Sequence, residues 1–452
     1  MSDGVVVNVV GGGLAGSECA LQLAARGMKV RLFEQRPAHA SAAHHGSDFA
    51  ELVCSNSLKS LREDSAAGLL KHELLAMGSK LLAIALECSV PAGGALAVDR
   101  ERFSGAVTAA VEKDPNIEIV RERVDQIPPE PCVIAAGPLC SDGLFEDILS
   151  HVGGERGSFY DAAAPIVDVA SLDMDIVFSQ SRYEEQGLGD YLNCPFERDE
   201  YEAFWHELVS AKRVVSKEFE QTDLFCACQP AEEVARTGVD SLRFGAMKPV
   251  GLTDPRSGRR PWAAVQLRAE NSDHAAYNIV GFQTNLTWPE QRRVFRMIPG
   301  LENAEFFRYG VMHRNSFVDS PRALDETFAL PGSCVRFAGQ ITGTEGYTEA
   351  IASGLVAALN TYADVNGRNR LALPRTSAFG SLVAYATDPN TNPYQPMHVN
   401  FGIFPPLEPP VRKKRERYAA YSARSRKELL EYISARPDLF GDITPSWAFL
   451  ND

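Results

Sequence analysis

Two stretches of the 452-residue chain hold residues whose type and spacing could do chemistry. Cys54 sits in Phe49-Ala50-Glu51-Leu52-Val53-Cys54-Ser55-Asn56-Ser57-Leu58, a polar loop. Cys228 sits in Phe225-Cys226-Ala227-Cys228-Gln229-Pro230. A thiolate is a strong carbon nucleophile when cationic neighbours or a helix N-terminus lower its pKa. On spacing alone, each thiol reads first as a small inert apolar side chain and only second as a nucleophile. Upstream, Gly11-Gly12-Gly13-Leu14-Ala15-Gly16 fits G-x-G-x-x-G. In that pattern Gly11 permits the tight turn, Gly13 lets the backbone approach a pyrophosphate, and Gly16 lets helix and strand pack closely. Glu34 follows 18 residues after Gly16, where a carboxylate can hydrogen-bond a ribose hydroxyl.

These residues need a scaffold. Val5 to Val10 is a β-branched run that predicts a buried parallel strand. Ser17 to Arg26 has helical periodicity and stops at Gly27. Lys29 to Phe33 predicts a second strand ending at Glu34, giving a β-turn-α-β unit that binds a dinucleotide at a helix N-terminus. Helices are expected over 66–82, 100–112, 347–362 and 411–436, and strands over Val133–Pro138 and Val335–Gly339. Residues 150 to about 330 differ in texture, with short strands, aromatics and Pro-Gly breaks. The expected organisation is a first part over 1–150, an inserted substrate-binding region over 151–332, and a return to the first fold over 333–452.

Composition sets bounds. The net charge of −14 argues against general affinity for nucleic acid or acidic membrane, but not against a local basic face. Nine cysteines in a long chain, without zinc-like spacing, fit neither a disulfide scaffold nor a metal site. No basic leader precedes an apolar h-region, and no run of 18 uncharged apolar residues occurs, so a reducing cytoplasmic setting without a membrane span is expected.

Two distant segments bear on which dinucleotide is bound. Val133 to Pro138, with Gly137, resembles the second short motif of glutathione-reductase-type flavoproteins. Phe337-Ala338-Gly339-Gln340, then Gly346-Tyr347 and Ala350 to Gly354, resembles their C-terminal flavin motif. The longer segments FAELVCSNSL, PAGGALAVDRERF, FYDAAAPIV, GDYLNCPF, GAMKPVGL, ITGTEGYTEAIASGL and QPMHVNFGIFPPL together resemble the TrmFO family, from about residue 5 to 430. That family consists of folate- and FAD-dependent tRNA (uracil-5-)-methyltransferases. The resemblance implies an α/β fold: a glutathione-reductase-like FAD-binding Rossmann domain with an inserted smaller α+β domain. It implies transfer of a one-carbon unit from 5,10-methylenetetrahydrofolate to C5 of a T-loop uridine of tRNA (position 54), with reduced FAD carrying the carbon and NADPH or NADH regenerating it. It also carries the family's two catalytic cysteines onto Cys54 and Cys228. Cofactor contacts are expected from Gly11, Gly12, Gly13, Leu14, Ala15, Gly16, Glu34, Gly137, Gly339, Gln340, Gly346 and Tyr347. The stretch AHASAAHHGSDF departs from the family's threonine-containing version, and Cys226 is an addition to its pattern. His44, His45 and His313 are left without a catalytic role.

For RNA, Arg412-Lys413-Lys414-Arg415-Glu416-Arg417 is the strongest basic run, with Tyr418 and Tyr421 interleaved for base stacking. Arg256, Arg259 and Arg260 form a smaller cluster. The bland reading of the run is a solvated helix face, and only the resemblance favours phosphate contact. Competing readings are the same chemistry on ribosomal RNA, a flavin reductase or hydroxylase on a small molecule, and a non-enzymatic RNA-binding protein that keeps FAD as a structural part.

Overall fold

The computed structural model describes residues 4–41, 43–153, 157–183, 189–214 and 229–441. Its centre is a five-stranded parallel sheet in the order Val335–Phe337, Cys132–Ile134, Val6–Val10, Lys29–Phe33, Ile117–Val120. The Val6–Val10 strand is interior, and Val7 and Val9 are wholly buried, as a parallel strand covered on both faces requires. The expected strands at 133 and 335 flank one another on the far side of it, although they lie about two hundred residues apart in sequence. Helix Leu14–Ala24 begins three residues earlier than the periodicity predicts. The segment expected as one helix over 66–82 is two, Ala66–Ala76 and Lys80–Glu87. The break falls where Ser79 turns its hydroxyl to the Leu82 N–H and starts the second helix as its N-cap.

The long helix Tyr347–Val365 packs directly on Leu14–Ala24. A Cβ on Gly354 would lie 2.1 Å from the Ala15 carbonyl oxygen, so only glycine allows this crossing. Because each helix starts at the sheet's carboxyl edge, this crossing sets both N-termini over one cleft.

A second sheet of six antiparallel strands runs Phe178–Ser179, Tyr191–Phe196, Ala263–Ala269, Ala276–Ile279, Ile166–Asp168, Phe306–Arg308. The chain enters this region along Gly157–Ala162 and leaves along Met312–Phe317, which pair antiparallel. Two apolar cores correspond to the two sheets. One gathers residues from Val7 to Ile148 together with Phe317 to Phe440, and the other spans Val167 to Ala304. Phe317, Val318, Ala323, Leu324 and Phe328 thus pack with the parallel sheet, ahead of residue 332. No helix among the described residues is long and apolar enough to cross a membrane, and no group of His, Cys, Asp or Glu among them is arranged to hold a metal ion.

Candidate active site

One cleft, enclosing about 1180 Å³ of space including its open mouth, collects residues from both ends of the chain. Gly11, Gly12, Gly13, Leu14, Ala15, Glu34, Gly137, Gly339, Gln340 and Tyr347 all line it, and so does Cys54. Gly16 and Gly346 do not. Gly16 acts from beneath: a Cβ there would meet the Gly11 carbonyl oxygen at 1.8 Å, so glycine sets how closely the helix approaches the strand. Gly346 is the N-cap of helix Tyr347–Val365.

The two helices that open on the cleft differ from their neighbours. Gly13 and Gly346 cap them with no side-chain hydrogen bond. The helices starting at Ala66, Lys80, Arg100, Asp142 and Ala378 are capped by Ser65, Ser79, Asp99, Ser141 and Ser377. Two of these also receive a buried carboxylate. Glu18 accepts the Lys80 and Leu81 N–H groups, and Glu73 accepts those of Ala378 and Phe379. At Gly13 no side chain takes this place, and nothing lies within 4 Å of where a Cβ would point, whereas Glu349 stands in the first turn behind Gly346. An anionic group such as a pyrophosphate fits beside Gly13, since the dipole and the first-turn N–H groups favour it.

Glu34 is more constrained than the ribose-binding expectation implies. Its carboxylate accepts the Gly12 N–H at 3.0 Å and the Arg36 N–H at 2.9 Å, and it pairs with the Arg36 guanidinium at 3.0 Å. Burial opposes its charge, but the Arg36 guanidinium and the two amides outweigh burial and hold the carboxyl below the ordinary range. Arg36 also bonds Glu51 at 2.9 Å, and Glu51 accepts the His45 and Gly46 N–H groups. This chain of ion pairs ties the nucleotide-binding strand to the loop that leads to Cys54.

Cys54 is half-buried, and the backbone around it is held from three directions. Arg100 donates to the carbonyls of Leu52 and of Cys54, the latter at 2.8 Å, and pairs with Glu270. Arg308, on the outer strand of the six-stranded sheet, donates to the carbonyls of Val53 and Ala43, both at 3.0 Å. Tyr347 accepts the Cys54 N–H at 2.8 Å and the Ser55 N–H at 3.2 Å. Arg268 adds a bond to the Ser55 hydroxyl at 2.9 Å. Desolvation and the nearby Cys54 push the Tyr347 phenol well above its usual pKa, so it remains neutral. Burial, reinforced by Arg100, lowers that of Arg308. Cys54 therefore has two guanidiniums close enough to interact with its charge, and only Glu270 is paired with either of them among the described residues.

Sequence reasoning asked for cations near the thiol but did not find Arg36, Arg100, Arg268 or Arg308. No spacing rule points to them. Arg100 does stand in the PAGGALAVDRERF segment, the one signal available. His44 also lines the cleft, with its Nδ1 2.6 Å from the Ser41 hydroxyl. Cys228 and Cys226 lie outside the described residues. Val214 and Ala231, which bracket that stretch, donate their N–H groups to Asn285 and Gln283.

The basic run lies away from the cleft. Arg412, Lys413, Lys414 and Arg415 are exposed, Arg417 is half-buried, and Lys413 is the N-cap of helix Lys414–Ser434. The interleaved tyrosines are not free for base stacking as expected. Tyr421 is buried and stacks on Phe401 (5.5 Å, 14°), and the Tyr418 ring lies 4.5 Å from Phe401. Burying these rings against the core outweighs leaving them in water.

Comparison with known proteins agrees with this geometry. The family described as GIDA, glucose inhibited division protein A, matches residues 6–369. The methylenetetrahydrofolate–tRNA-(uracil-5-)-methyltransferase TrmFO of Acetivibrio thermocellus is 50% identical over 430 residues, 95% of this chain and 98% of that protein. That of Symbiobacterium thermophilum is 53% identical over 424 residues, 93% and 95% of the two chains. Among solved structures, Aquifex aeolicus GidA in its form I crystal gives a TM-score of 0.65 at 16% identity, covering 96% of this chain and 78% of its own, a likeness of fold. With half its residues identical to such relatives over nearly its whole length, the chain belongs to the TrmFO family.

Proposed function

We infer that this chain transfers a one-carbon unit from 5,10-methylenetetrahydrofolate to C5 of a uridine in the T loop of tRNA, forming 5-methyluridine, with FAD in the cleft and NADPH or NADH as reductant. The observation that carries this reading is the position of Cys54 in the wall of a cleft built for a dinucleotide. A hydroxylase, or a flavin reductase that does not act on disulfides, has no use for a thiol there, and Cys54 is a free cysteine. The identity to TrmFO enzymes over more than nine-tenths of the chain supports the same reaction.

Gly11 to Ala15 would hold the pyrophosphate of FAD at the first helix N-terminus, with Glu34, held by Gly12 and Arg36, on the ribose side. Gly137, Gly339, Gln340 and the start of helix Tyr347–Val365 flank the remainder of the cofactor. Bound FAD, once reduced, supplies the electrons of the transfer. C5 of uracil is a weak nucleophile. Addition of a thiolate to C6 turns the ring into an enolate that is nucleophilic at C5, and a base afterwards removes the C5 proton. Cys54 and Cys228 share these two roles. Arg100 and Arg308 fix the Cys54 backbone and present positive charge to a thiolate and to the enolate that replaces it.

The exposed cations Arg412, Lys413, Lys414 and Arg415, with the half-buried Arg417, contact tRNA phosphates. Their placement supports this, because cations in the first turn oppose the helix dipole at a cost of about 0.3–1 kcal/mol each. The two apolar cores support an FAD-binding part interrupted by an inserted substrate-binding part, with breaks near 153–157 and 312–317.

The test is methyl transfer from labelled methylenetetrahydrofolate to unmodified tRNA with NADPH and FAD, followed by mapping of the labelled nucleoside. Label in 5-methyluridine of the T loop is the expected result. Absence of label with a reducible flavin overturns it.

A further inference from the structure

The strand Phe306–Arg308 leads in two directions. Arg308 reaches inward to the Val53 carbonyl beside Cys54, and Tyr309, the next residue, joins an aromatic column. Phe306 and Tyr309 stack with ring centroids 5.1 Å apart, and Tyr309 and Trp288 with centroids 5.7 Å apart, both at 18° between planes. Aromatic rings in the adjacent core meet at steep angles instead, as Phe204 with Phe282 (57°) and Phe282 with Phe295 (86°). The near-parallel column ends at Trp288, whose surface is 58% exposed. Its backbone is fixed: Trp288 is the first residue of helix Trp288–Phe295, Pro289 follows it, and Thr287 before it donates its N–H to the Lys212 carbonyl at 3.0 Å.

Two exposed cations, Arg292 and Lys212, adjoin this open end, with Glu290 beside Lys212. Arg292, four residues on and therefore on the same helix face, is exposed and makes no ion pair among the described residues. Lys212 is exposed as well. Arg293, by contrast, is neutralised by Glu207 and Glu290.

We propose that Trp288 is a stacking platform for an unpaired base of the RNA substrate, with Arg292 and Lys212 on the adjoining phosphates. This rests on the reading of the protein as a tRNA methyltransferase. A column of parallel rings offers its terminal face to any nucleobase, since every base has a π-face and stacking tolerates sequence. One ring bordered by cations suits a base and its phosphates. A second protein copy would need a broad apolar face. The column starts at Phe306, two residues before Arg308 on the same strand, so one element joins the platform to the clamp on the Cys54 loop.

The experiment measures tRNA affinity, kcat and KM for the FAD-loaded wild-type protein and for Trp288→Ala and Trp288→Phe. Removal of one base–aromatic stack weakens binding by roughly tenfold. The expected result is therefore about a tenfold higher Kd and KM for Trp288→Ala, a smaller change for Trp288→Phe, and unaltered flavin absorbance and bleaching by NADPH in both. A Kd for Trp288→Ala within twofold of wild type overturns the proposal. So does a change in sedimentation without a change in Kd, which would make a second copy the occupant. A wild-type protein that neither binds nor methylates tRNA overturns the functional reading and the platform with it. A wild-type protein that methylates tRNA while Trp288→Ala binds normally overturns the platform alone.

Discussion

The Tyr347 hydroxyl oxygen lies 2.8 Å from the Cys54 amide nitrogen and also accepts the N–H of Ser55. The start of helix Tyr347–Val365 therefore also fixes the backbone of the loop that carries Cys54. Tyr347→Phe removes the acceptor and leaves two N–H groups unpaired, at about 1 kcal/mol each. The expected outcome is a ten- to hundredfold loss of methyl transfer with FAD content unchanged. Labelled methyl transfer and flavin absorbance, measured on one preparation, check it.

Cys54→Ala and Cys228→Ala should each retain FAD and its reduction by NADPH, while methyl transfer falls by at least about a thousandfold, as loss of a nucleophile does. Full activity in either variant would remove that cysteine from the mechanism.

The glycines separate cofactor binding from folding. Gly13 has open space where a Cβ would go and an ordinary negative φ, so Gly13→Leu should cost the apo-protein only about 1 kcal/mol while abolishing FAD binding. Gly16→Ala would push a methyl group to 1.8 Å from the Gly11 carbonyl oxygen, and should destabilise the fold by about 3 kcal/mol or more. Thermal unfolding with and without FAD distinguishes the two.

Replacing Arg412, Lys413, Lys414 and Arg415 by Gln should weaken tRNA binding and reduce the dependence of log K on log salt by roughly 0.7–0.9 per lost phosphate contact. It should not lower thermal stability, because these cations sit at the positive end of their helix.

A pH effect should come from Glu73, which is fully buried among the Ala378 and Phe379 amides and the Ser425 hydroxyl. Burial raises its pKa to about 7, against the pull of those hydrogen bonds. Between the ordinary carboxyl range and about pH 7 the folded state keeps a proton that the unfolded state has released. The Glu73 contribution to stability is therefore largest in acid and declines as pH rises to about 7. Denaturant unfolding of wild type and Glu73→Gln across pH 4.5–8 should show wild type losing stability relative to the variant through that window.

The glycine turn and its flanking strands were legible because their requirements are local: a Cβ either fits or does not, and a buried parallel strand must be apolar throughout. Cys54 and the cofactor residues of the second half came from longer matching segments, since nothing in their own spacing sets them apart. The clamp on Cys54 was not legible. Arg100 and Arg308 stand 46 and 255 residues from the carbonyls they hold, and an arginine that grips a loop looks in sequence like one that faces water. The tyrosines of the basic helix were misread for the same reason. Helical spacing places Tyr418 and Tyr421 among the cations, but only the tertiary fold brings Phe401 beneath them.

The order of strands in the parallel sheet has a consequence for biosynthesis. Val6–Val10 emerges first from the ribosome, yet the sheet is completed by Val335–Phe337, and the helix that crosses Ala15 through Gly354 emerges later still. At roughly 5–20 residues per second the early strands wait on the order of tens of seconds for these partners. During that interval the six-stranded sheet, whose pairings are complete by Arg308, is already whole. The six-stranded sheet is thus fully synthesised first, so a nascent chain stalled before residue 335 carries all its strands behind a parallel sheet that still lacks Val335–Phe337, and it lacks the Gly339, Gln340 and Tyr347 wall of the cleft altogether.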